Sequence, residues 1–478
     1  MHSNPPHSNH ILDSLFPPRS IAIAGVSTKS RKRHSGRQFL EALLDAGFKG
    51  KLYAVNPGGG EIFGRKIYTN IGNIPDTIDY VISAVPARYN PQLLLDCAAK
   101  RVKAVHIYSA GFSEIANPEG KQLEAQITNI AERTGVRVIG PNCMGMYSPK
   151  YGLSFRQGLP KEGGSIGFIS QSGSNSSQAV LEGDFRGIHY SKLFSYGNAC
   201  DLDECDFLEY LARDKETTVI GGYIEGVKDG SRFMQTLKKA TKKKPVIVYK
   251  AGSTEHGTRA VASHSGAIAG SDKAWQAALR QAGAIQVHSM EELVDLLVLF
   301  QCMSPPQGKA TALFGVGGGV IIQATDECTQ AGLNLPPLPM DLRYKLEELY
   351  TSEAGGSFRN PIDLYMGKRE LIRNTVKMVA DCGQIDLFII QIMISFSNRR
   401  DAEMLKPYFD AIINLTKEIN RRTVIVLRPF GLLRFSQYTL KVQRTLVNAG
   451  YPVFDSASRA ATAIAKYIDY HQRRKSTD

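Results

Sequence analysis

The sequence predicts an α/β protein in which a Rossmann-like domain is followed by two flavodoxin-like doubly wound domains. Short apolar stretches alternate with amphipathic helical stretches along the chain, as in parallel sheets covered by helices. The 478 residues suffice for about three domains at roughly 150 residues each. The first strand of each part runs into a glycine-containing turn and a helix start. We therefore place the domains at residues 1–148, 149–305 and 306–478.

The first domain opens with a strand at Ser20, and its ligands are expected at the carboxyl ends of its strands. Its strands and helices follow in the order SIAIAGVS, RQFLEALLDAGFKG, KLYAVNP, IDYVISAVP, LLLDCAAKRV, KAVHIYSAGFSE, a polar helix and RVIGPNCMG.

The second and third domains begin alike, which predicts one flavodoxin-like plan used twice. The second domain is predicted from GSIGFISQSGSNS, YSKLFSYGN, TVIGGYIEG, PVIVYKAGS and a closing helix, EELVDLLVLF. The third follows the linker SPPQGK and is predicted from ATALFGVGGGVIIQATDECTQAGL, DLFIIQIMI and TVIVLRPF.

Composition narrows the class of partner. The net charge of +13 and pI near 9.3 favour acidic ligands, but the basic residues are scattered and lack interleaved aromatics, so nucleic acid is not expected. Seven cysteines without paired spacing indicate neither disulfides nor a metal site and suit a reducing cytoplasm. The N-terminus lacks a signal-peptide pattern, and the apolar stretches are too short to span a bilayer, so no membrane association is expected.

The loop GVSTKSRKRHSG stands where a dinucleotide-binding loop would be, but Gly25 is followed next by Gly36, so the GxGxxG pattern is absent. A nicotinamide cofactor is therefore not supported. Five basic residues between Lys29 and Arg37, together with backbone N–H groups at a helix start, favour a ligand with several phosphates. The alternative is a basic surface loop without a ligand.

The stretch RAVASHSGAIAGSD sets one histidine, His264, among small residues that leave room for a bulky anion. In the same predicted domain, Ser172, Gly173 and Ser174 open a helix, and Glu225 follows a strand. Each feature alone is ordinary: a structural histidine, a common turn and a loop carboxylate. Together they predict a site in which the imidazole attacks phosphorus, the carboxylate fixes its tautomer and the helix start binds the phosphoryl group.

The order of several motifs resembles the alpha chain of NDP-forming acyl-CoA synthetases, which are relatives of succinyl-CoA synthetase. The resemblance covers nearly the whole chain from about residue 11. The motifs are VNP (55–57), SAVP (83–86), SAGFSE (109–114), GPNCMG (140–145), GFISQSGS (167–174), SYGN (195–198), ASHSGAIAGSD (262–272) and NPIDL (360–364).

The resemblance implies an ADP-forming acid:CoA ligase that uses acyl phosphate and phosphohistidine intermediates. It implies that His264 is phosphorylated, that Glu225 steadies it, and that Ser172, Gly173 and Ser174 bind its phosphate. It also implies CoA, ATP or ADP with Mg²⁺, an ATP-grasp beta subunit as partner, and a hetero-oligomer. The implied CoA-binding residues are Gly25, Val26, Ser27, Asn56, Pro57, Val85, Pro86, Ser109, Ala110, Gly111, Phe112 and Asn142.

The sequence departs from this family at two points. Its first loop is longer and more basic and lacks the usual proline, and Ser265 follows the histidine where threonine is common. Two other functions remain open. One is a CoA-binding regulatory protein of the same fold without turnover. The other is a Rossmann dehydrogenase, which would need an acidic residue after the second strand, where VNP stands instead.

Overall fold

The computed structural model describes residues 11–28, 36–115, 117–264, 271–315, 317–350, 358–364, 369–394, 413–414, 418–419, 421–429 and 436–475. The chain divides into two compact units. One consists of the residues up to Asp184 together with His189–Leu293, and the other of Phe185–Ile188 together with the residues from Val294 onward. Among the described helices, none combines the length and the apolar character needed to cross a membrane.

The first sheet has the strand order expected of a Rossmann-like domain, β3-β4-β2-β1-β5-β6-β7, and is parallel apart from the β3–β4 pair. The order reverses between β1 and β5, and ligands bind at this point in such sheets. The strands are β1 (Ser20–Ala24), β2 (Lys51–Val55), β3 (Glu61–Ile62), β4 (Arg65–Tyr68), β5 (Tyr80–Ser83), β6 (Ala104–Ile107) and β7 (Arg137–Ile139). The helices are α1 (Ile11–Leu15), α2 (Gly36–Asp45), α3 (Asn90–Ala99) and α4 (Pro118–Thr134).

The second sheet has the order β13-β12-β11-β9-β10-β8. Its five parallel strands follow the flavodoxin-like order, and β8 adds an antiparallel edge. The strands are β8 (Gly145–Tyr147), β9 (Ile166–Ser170), β10 (Tyr190–Ser195), β11 (Val219–Ile224), β12 (Val246–Lys250) and β13 (Ile285–Val287). The helices are α5 (Gly173–Phe185), α6 (Glu204–Arg213), α7 (Gly230–Lys243), α8 (Glu255–His264), α9 (Asp272–Ala282) and α10 (Met290–Cys302).

The third sheet repeats the flavodoxin-like order as β15-β14-β16-β17-β18, all parallel. Its strands are β14 (Thr311–Gly315), β15 (Ile362–Asp363), β16 (Leu387–Ile394), β17 (Arg422–Pro429) and β18 (Val453–Phe454). Its helices are α11 (Gly318–Gln330), α12 (Met340–Leu349), α13 (Arg369–Asp381), α14 (Ser436–Asn448) and α15 (Ala457–Lys475). The predicted fold class, a Rossmann-like sheet followed by two flavodoxin-like sheets, is confirmed.

The strand β8 lies in the second sheet, although the predicted boundary at residue 148 leaves it with the first domain. After the GPNCMG segment the chain turns along the edge of the second sheet, and Met146 pairs with Phe194. The first sheet therefore ends at Ile139. The three domain boundaries themselves stay a prediction.

A buried histidine, His106, connects β6 with the GPNCMG segment. Its Nε2 lies 2.9 Å from the carbonyl oxygen of Cys143, which can only accept, so Nε2 carries the proton and donates. The side chain is 1% exposed, and burial lowers its pKa from 6.5 to about 4. His106 is therefore neutral at physiological pH.

We expect the neutral His106 to make the protein less stable in acid. Because its pKa is lower in the folded chain than in the unfolded chain, its contribution is intact above pH 6.5 and is lost as the pH falls towards about 4. The loss amounts to up to about 3 kcal/mol. His106→Gln keeps a donor for Cys143 and should reduce the difference between the thermal unfolding midpoints at about pH 7 and about pH 4.5.

His288→Gln, at an exposed position, is the matched control and should leave the pH dependence as it is in the wild type. Equal acid sensitivity of the His106→Gln variant and the wild-type chain would contradict this prediction.

Candidate functional site

The turn after β1 approaches the loop after β5 closely. Gly25 has a φ of +92°, and a Cβ atom at this position would lie 2.6 Å from the carbonyl oxygen of Ala84. The backbone N–H groups of Gly25 and Val26 donate to the carbonyl oxygen of Val55, at 3.0 and 3.2 Å. Only glycine fits this position, where the strand order reverses.

The helix α2 rests on this turn through its first residue. A Cβ atom at Gly36 would lie 2.8 Å from both the carbonyl carbon of Gly25 and the nitrogen of Val26. Gly36 thus permits the close packing of helix on turn, although it stands far from Gly25 in sequence. The basic segment 29–35 lies outside the described residues, so its contact with phosphate stays a prediction.

The loops after β5 and β6 are joined by Asn90, which the sequence analysis missed. Its side chain is 1% exposed. Its Oδ1 accepts from the Ser83 hydroxyl at 2.6 Å, and its Nδ2 donates to the Ser109 hydroxyl and to the carbonyl oxygen of Ala87, both at 3.2 Å. Asn90 therefore fixes Ser109 relative to the SAVP loop.

The SAGFSE loop is shaped by its own carboxylate, Glu114. This side chain accepts from the backbone N–H groups of Gly111 at 2.5 Å and of Phe112 at 3.1 Å. It also accepts from Nδ2 of Asn198 at 2.6 Å. The same Nδ2 donates to Glu124 at 2.8 Å, so Asn198 of the SYGN motif stands between two carboxylates. Glu114 and Asn198 stand in the SAGFSE and SYGN motifs, but the sequence alone assigned neither of them a role.

The GPNCMG segment contacts both of these motifs. The N–H of Asn142 donates to the carbonyl oxygen of Ser109 at 3.1 Å. A Cβ atom at Gly197 would lie 2.2 Å from the carbonyl oxygen of Pro141. The backbone of the SYGN turn is therefore packed directly against the segment that carries Asn142.

The predicted CoA-binding residues all lie at the carboxyl ends of strands in the first sheet or in the loops that follow. Val26 and Phe112 are fully buried and support the loops from below. Asn56 shapes its own turn, because its Oδ1 accepts from the N–H of Gly58 at 2.9 Å. The remaining predicted residues are exposed or half-buried: Gly25, Ser27, Pro57, Val85, Pro86, Ser109, Ala110, Gly111 and Asn142. Their contacts with CoA stay a prediction.

The helix start predicted to bind phosphate lies at the carboxyl end of β9. Ser172 precedes the first residue of α5, and its hydroxyl accepts from the N–H of Asn175 at 3.3 Å and lies 3.0 Å from the Ser174 hydroxyl. A Cβ atom at Gly173 would lie 2.8 Å from Cγ of Met144. The free N–H groups of such a helix start favour an anion.

Glu225 lies at the end of β11, beside this helix start. Gln171 holds its backbone, because Oε1 of Gln171 accepts from the N–H groups of Glu225 and Gly226. Burial and the neighbouring Glu225 carboxylate raise the pKa of the Tyr223 hydroxyl. Glu225 is 3% exposed, and within the described residues its Oε2 has no hydrogen-bond partner. The carboxylate is thus buried, carried by a backbone that Gln171 holds, and able to accept a hydrogen bond.

A buried lysine stands next to Glu225 and was not singled out from the sequence. Lys250 is the last residue of β12 and is paired in register with Ile224 of β11, the residue before Glu225. Burial lowers its pKa to about 8, although the charges of Glu225 and Asp272 oppose this shift. Its strand reads as an ordinary apolar one, so no pattern marks this residue.

His264 is the last residue of α8, and its side chain lies outside the described part of the chain. The helix packs beside the turn Ser113–Ile115 of the SAGFSE motif. The chain then passes through 265–270, also outside the described residues, and enters α9 at Asp272. The backbone thus brings α8 to the same region as the SAGFSE loop.

One group of possible metal ligands occurs among the described residues, formed by Asp203, Glu204 and Cys205. Asp203 caps α6 through the N–H of Cys205 at 2.9 Å and forms a 2.7 Å ion pair with Arg232. These contacts explain the cluster as a helix cap.

Comparison with known proteins agrees with this arrangement. Residues 19–149 match the model of a CoA-binding domain, and residues 163–300 match that of a succinyl-CoA ligase-like flavodoxin domain. The chain is 39% identical to the alpha subunit of ADP-forming acetate–CoA ligase I of Pyrococcus furiosus over 361 residues, which cover 74% of this chain and 76% of the relative. It is 34% identical to the alpha subunit of ligase II from the same organism over 455 residues, which cover 95% and 96%.

The chain belongs to the family of ADP-forming acetate–CoA ligase alpha subunits. A solved structure agrees with this assignment. The dinucleotide-forming acetyl-coenzyme A synthetase 1 of Ca. Korarchaeum cryptofilum, in complex with phosphate and ADP, superposes with a TM-score of 0.83 at 28% identity over 97% of each chain. Like its relatives, this alpha subunit is an ADP-forming CoA ligase with a CoA-binding domain.

We expect Glu114→Gln to weaken CoA binding about tenfold in this ligase subunit. The amide offers a single acceptor oxygen where Gly111, Phe112 and Asn198 all donate, so its NH₂ group would face a donor and loosen the loop. Calorimetric titration with CoA measures the effect. Glu119→Gln, on the exposed first turn of α4, is the control and should bind like the wild type. Unchanged affinity in Glu114→Gln would show that the loop does not depend on this carboxylate.

Proposed function

We propose that His264 is phosphorylated during turnover and that Glu225 and the start of α5 form the site in which this occurs. The observation that supports the proposal most directly is the Glu225 carboxylate. It is buried at the point where the strand order of the second sheet reverses, next to a helix start, and within the described residues its Oε2 lacks a partner. A carboxylate held in this way suits an imidazole N–H.

In one direction the reaction begins with inorganic phosphate and an acyl-CoA. A phosphate oxygen attacks the thioester carbonyl and expels the CoA thiolate, which yields an acyl phosphate. The neutral imidazole of His264 then attacks phosphorus, the P–O bond to the acyl group breaks, and the carboxylate leaves. Finally an oxygen of the ADP β-phosphate attacks the phosphohistidine, which forms ATP and restores the imidazole.

The protein contributes orientation and electrostatic stabilisation to these steps. Glu225 accepts the N–H of one imidazole nitrogen, so the other nitrogen keeps its lone pair for attack. The N–H groups and dipole of the α5 start stabilise the negative charge of the transferred phosphoryl group. Gln171 holds the backbone at Glu225 in place.

The subunit acts with an ATP-grasp beta chain in a hetero-oligomer under this proposal. Support comes from the relatives, which are named alpha subunits. The nucleotide would bind mainly on the partner, with Mg²⁺ to neutralise its phosphates. The cytoplasmic location expected from the sequence stays a prediction. A regulatory CoA-binding protein without turnover is disfavoured, because the matched relatives are named as ligases.

Labelling with ³²P tests the role of His264. In one reaction the purified chain is incubated with [³²P]phosphate and a panel of acetyl-, branched-chain, aryl- and dicarboxyl-CoA thioesters. In a second, separate reaction it is incubated with [γ-³²P]ATP, Mg²⁺ and a candidate beta chain. We expect acid-labile, base-stable label in the wild type and none in His264→Ala.

His256→Ala is a matched control, because His256 lies exposed on the same helix. It should label like the wild type. A wild-type chain that binds CoA and stays unlabelled by both routes would favour the regulatory alternative, and label that persists in His264→Ala would place the phosphoryl group elsewhere.

Glu225→Gln should slow the labelling of His264 by about 100-fold, because a neutral amide stabilises the developing imidazolium less than a carboxylate does. Rapid-quench measurement of label formation gives the rate. The exposed Glu209→Gln serves as the control and should leave it unchanged. A Glu225→Gln variant as fast as the wild type would remove Glu225 from the mechanism.

A further inference from the structure

The position of Lys250 connects it with the segment that carries His264. It ends β12, after which the chain forms α8, whose last residue is His264, and re-enters described structure at Ser271 and Asp272. Lys250 and Asp272 therefore flank the segment that contains His264, one on each side in sequence. Glu225 follows Ile224, the residue paired with Lys250.

The ammonium group of Lys250 is buried away from bulk solvent, and its position is set by contacts with the protein. Lys250 is 3% exposed, its Nζ donates to the carbonyl oxygen of Ala251, and it lies 5.2 Å from the ring centroid of Trp275. Buried cations are costly, and one is tolerated where nearby negative charge offsets the loss of water.

The negative charge near Lys250 comes from two carboxylates, each of which has an oxygen without a hydrogen-bond partner among the described residues. Glu225 and Asp272 both act electrostatically on the lysine. Within the described residues, Oε2 of Glu225 and Oδ1 of Asp272 are buried without a hydrogen-bond partner, while Oδ2 of Asp272 accepts from Gln276 at 2.7 Å. The region thus combines one cation with two carboxylates.

Phosphorylation would place further negative charge in this region. A phosphoryl group carries about −1.5 to −2 at neutral pH, and repulsion from the two carboxylates would oppose its formation. Because Lys250 and Glu225 are shielded from water, their charges act more strongly on nearby charges than they would at the surface.

We propose that Lys250 is a positioning residue for phosphoryl transfer, whose ammonium group offsets Glu225 and Asp272 and so stabilises the phosphorylated state of the enzyme. The proposal rests on the proposed phosphorylation of His264. A lysine with a structural role alone would affect stability but leave the equilibrium between phosphorylated and free enzyme unchanged.

The test measures the fraction of wild-type and variant chains that carry ³²P at equilibrium with [³²P]phosphate and the acyl-CoA that labels the wild type. We expect Lys250→Met to lower the ratio of phosphorylated to free enzyme about tenfold, and Lys250→Arg, which keeps the charge, to restore most of it. Lys244→Met is the matched control. Lys244 is half-buried before the amino end of β12, at the opposite edge of the sheet, and should leave the ratio unchanged.

A folded Lys250→Met variant with the wild-type ratio would overturn the role of Lys250 and leave that of His264 intact. A wild-type chain without label, or label that survives in His264→Ala, would instead overturn the proposed function. The two failures are therefore distinguishable.

A second comparison applies if Lys250→Met does not fold. The pKa of Lys250 is about 8, so wild-type phosphorylation should fall between about pH 7 and about pH 9 more steeply than in Lys250→Arg, whose charge persists. Among the described residues, Glu225 and Asp272 are the charged groups that act on Lys250. Tyr249 precedes Lys250 on β12 and is paired with Tyr223, and all four groups are the same in both proteins. Parallel pH profiles would contradict the proposal.

Discussion

The junction at Asn198 is the interaction on which the site depends. One amide nitrogen donates to Glu114 in the SAGFSE loop and to Glu124 on α4, while Asn198 itself belongs to the turn after β10. A buried hydrogen bond to a charged group is stronger than one between neutral groups. This contact joins the carboxyl edges of the first and second sheets within one compact unit. The GPNCMG segment of the predicted CoA site also contacts the helix start, since a Cβ atom at Gly173 would lie 2.8 Å from Cγ of Met144.

A second property of the site is the contrast between two buried carboxylates. The oxygens of Glu114 are occupied by hydrogen bonds, whereas those of Glu225 are not all occupied. Glu114 accepts several N–H groups and gives the loop its shape, so it has little capacity left for a ligand. Glu225 is more deeply buried, at 3% exposed against 9% for Glu114, yet its Oε2 is without a partner within the described residues. The first arrangement is typical of structural support, and the second is typical of a group that awaits a reactant.

The sequence was informative about the fold and about the location of the site, and less so about what supports it. Alternating strands and helices predicted all three sheets, and the rule for parallel strands correctly brought Ser172 and Glu225 to one edge. Asn90 and Lys250 were missed because each is a single polar residue with no periodic signal. Glu114 and Asn198 stand in the SAGFSE and SYGN motifs, but the motifs do not show what these two side chains contact. Their partners lie far away in sequence or act through backbone groups, and only the folded chain shows those contacts.

The contact at Gly197 has a consequence for how such chains can be recombined. A Cβ atom at Gly197 would lie so near the carbonyl oxygen of Pro141 that no side chain can be accommodated there. The segments 140–142 and 195–198 are therefore packed against each other without room for a side chain. The first follows the last strand of the Rossmann-like sheet, and the second forms the turn after β10 of the next sheet. A chimera that exchanges the first sheet between relatives with different acid preferences would have to transfer both segments together, and the natural point for exchange lies beyond them.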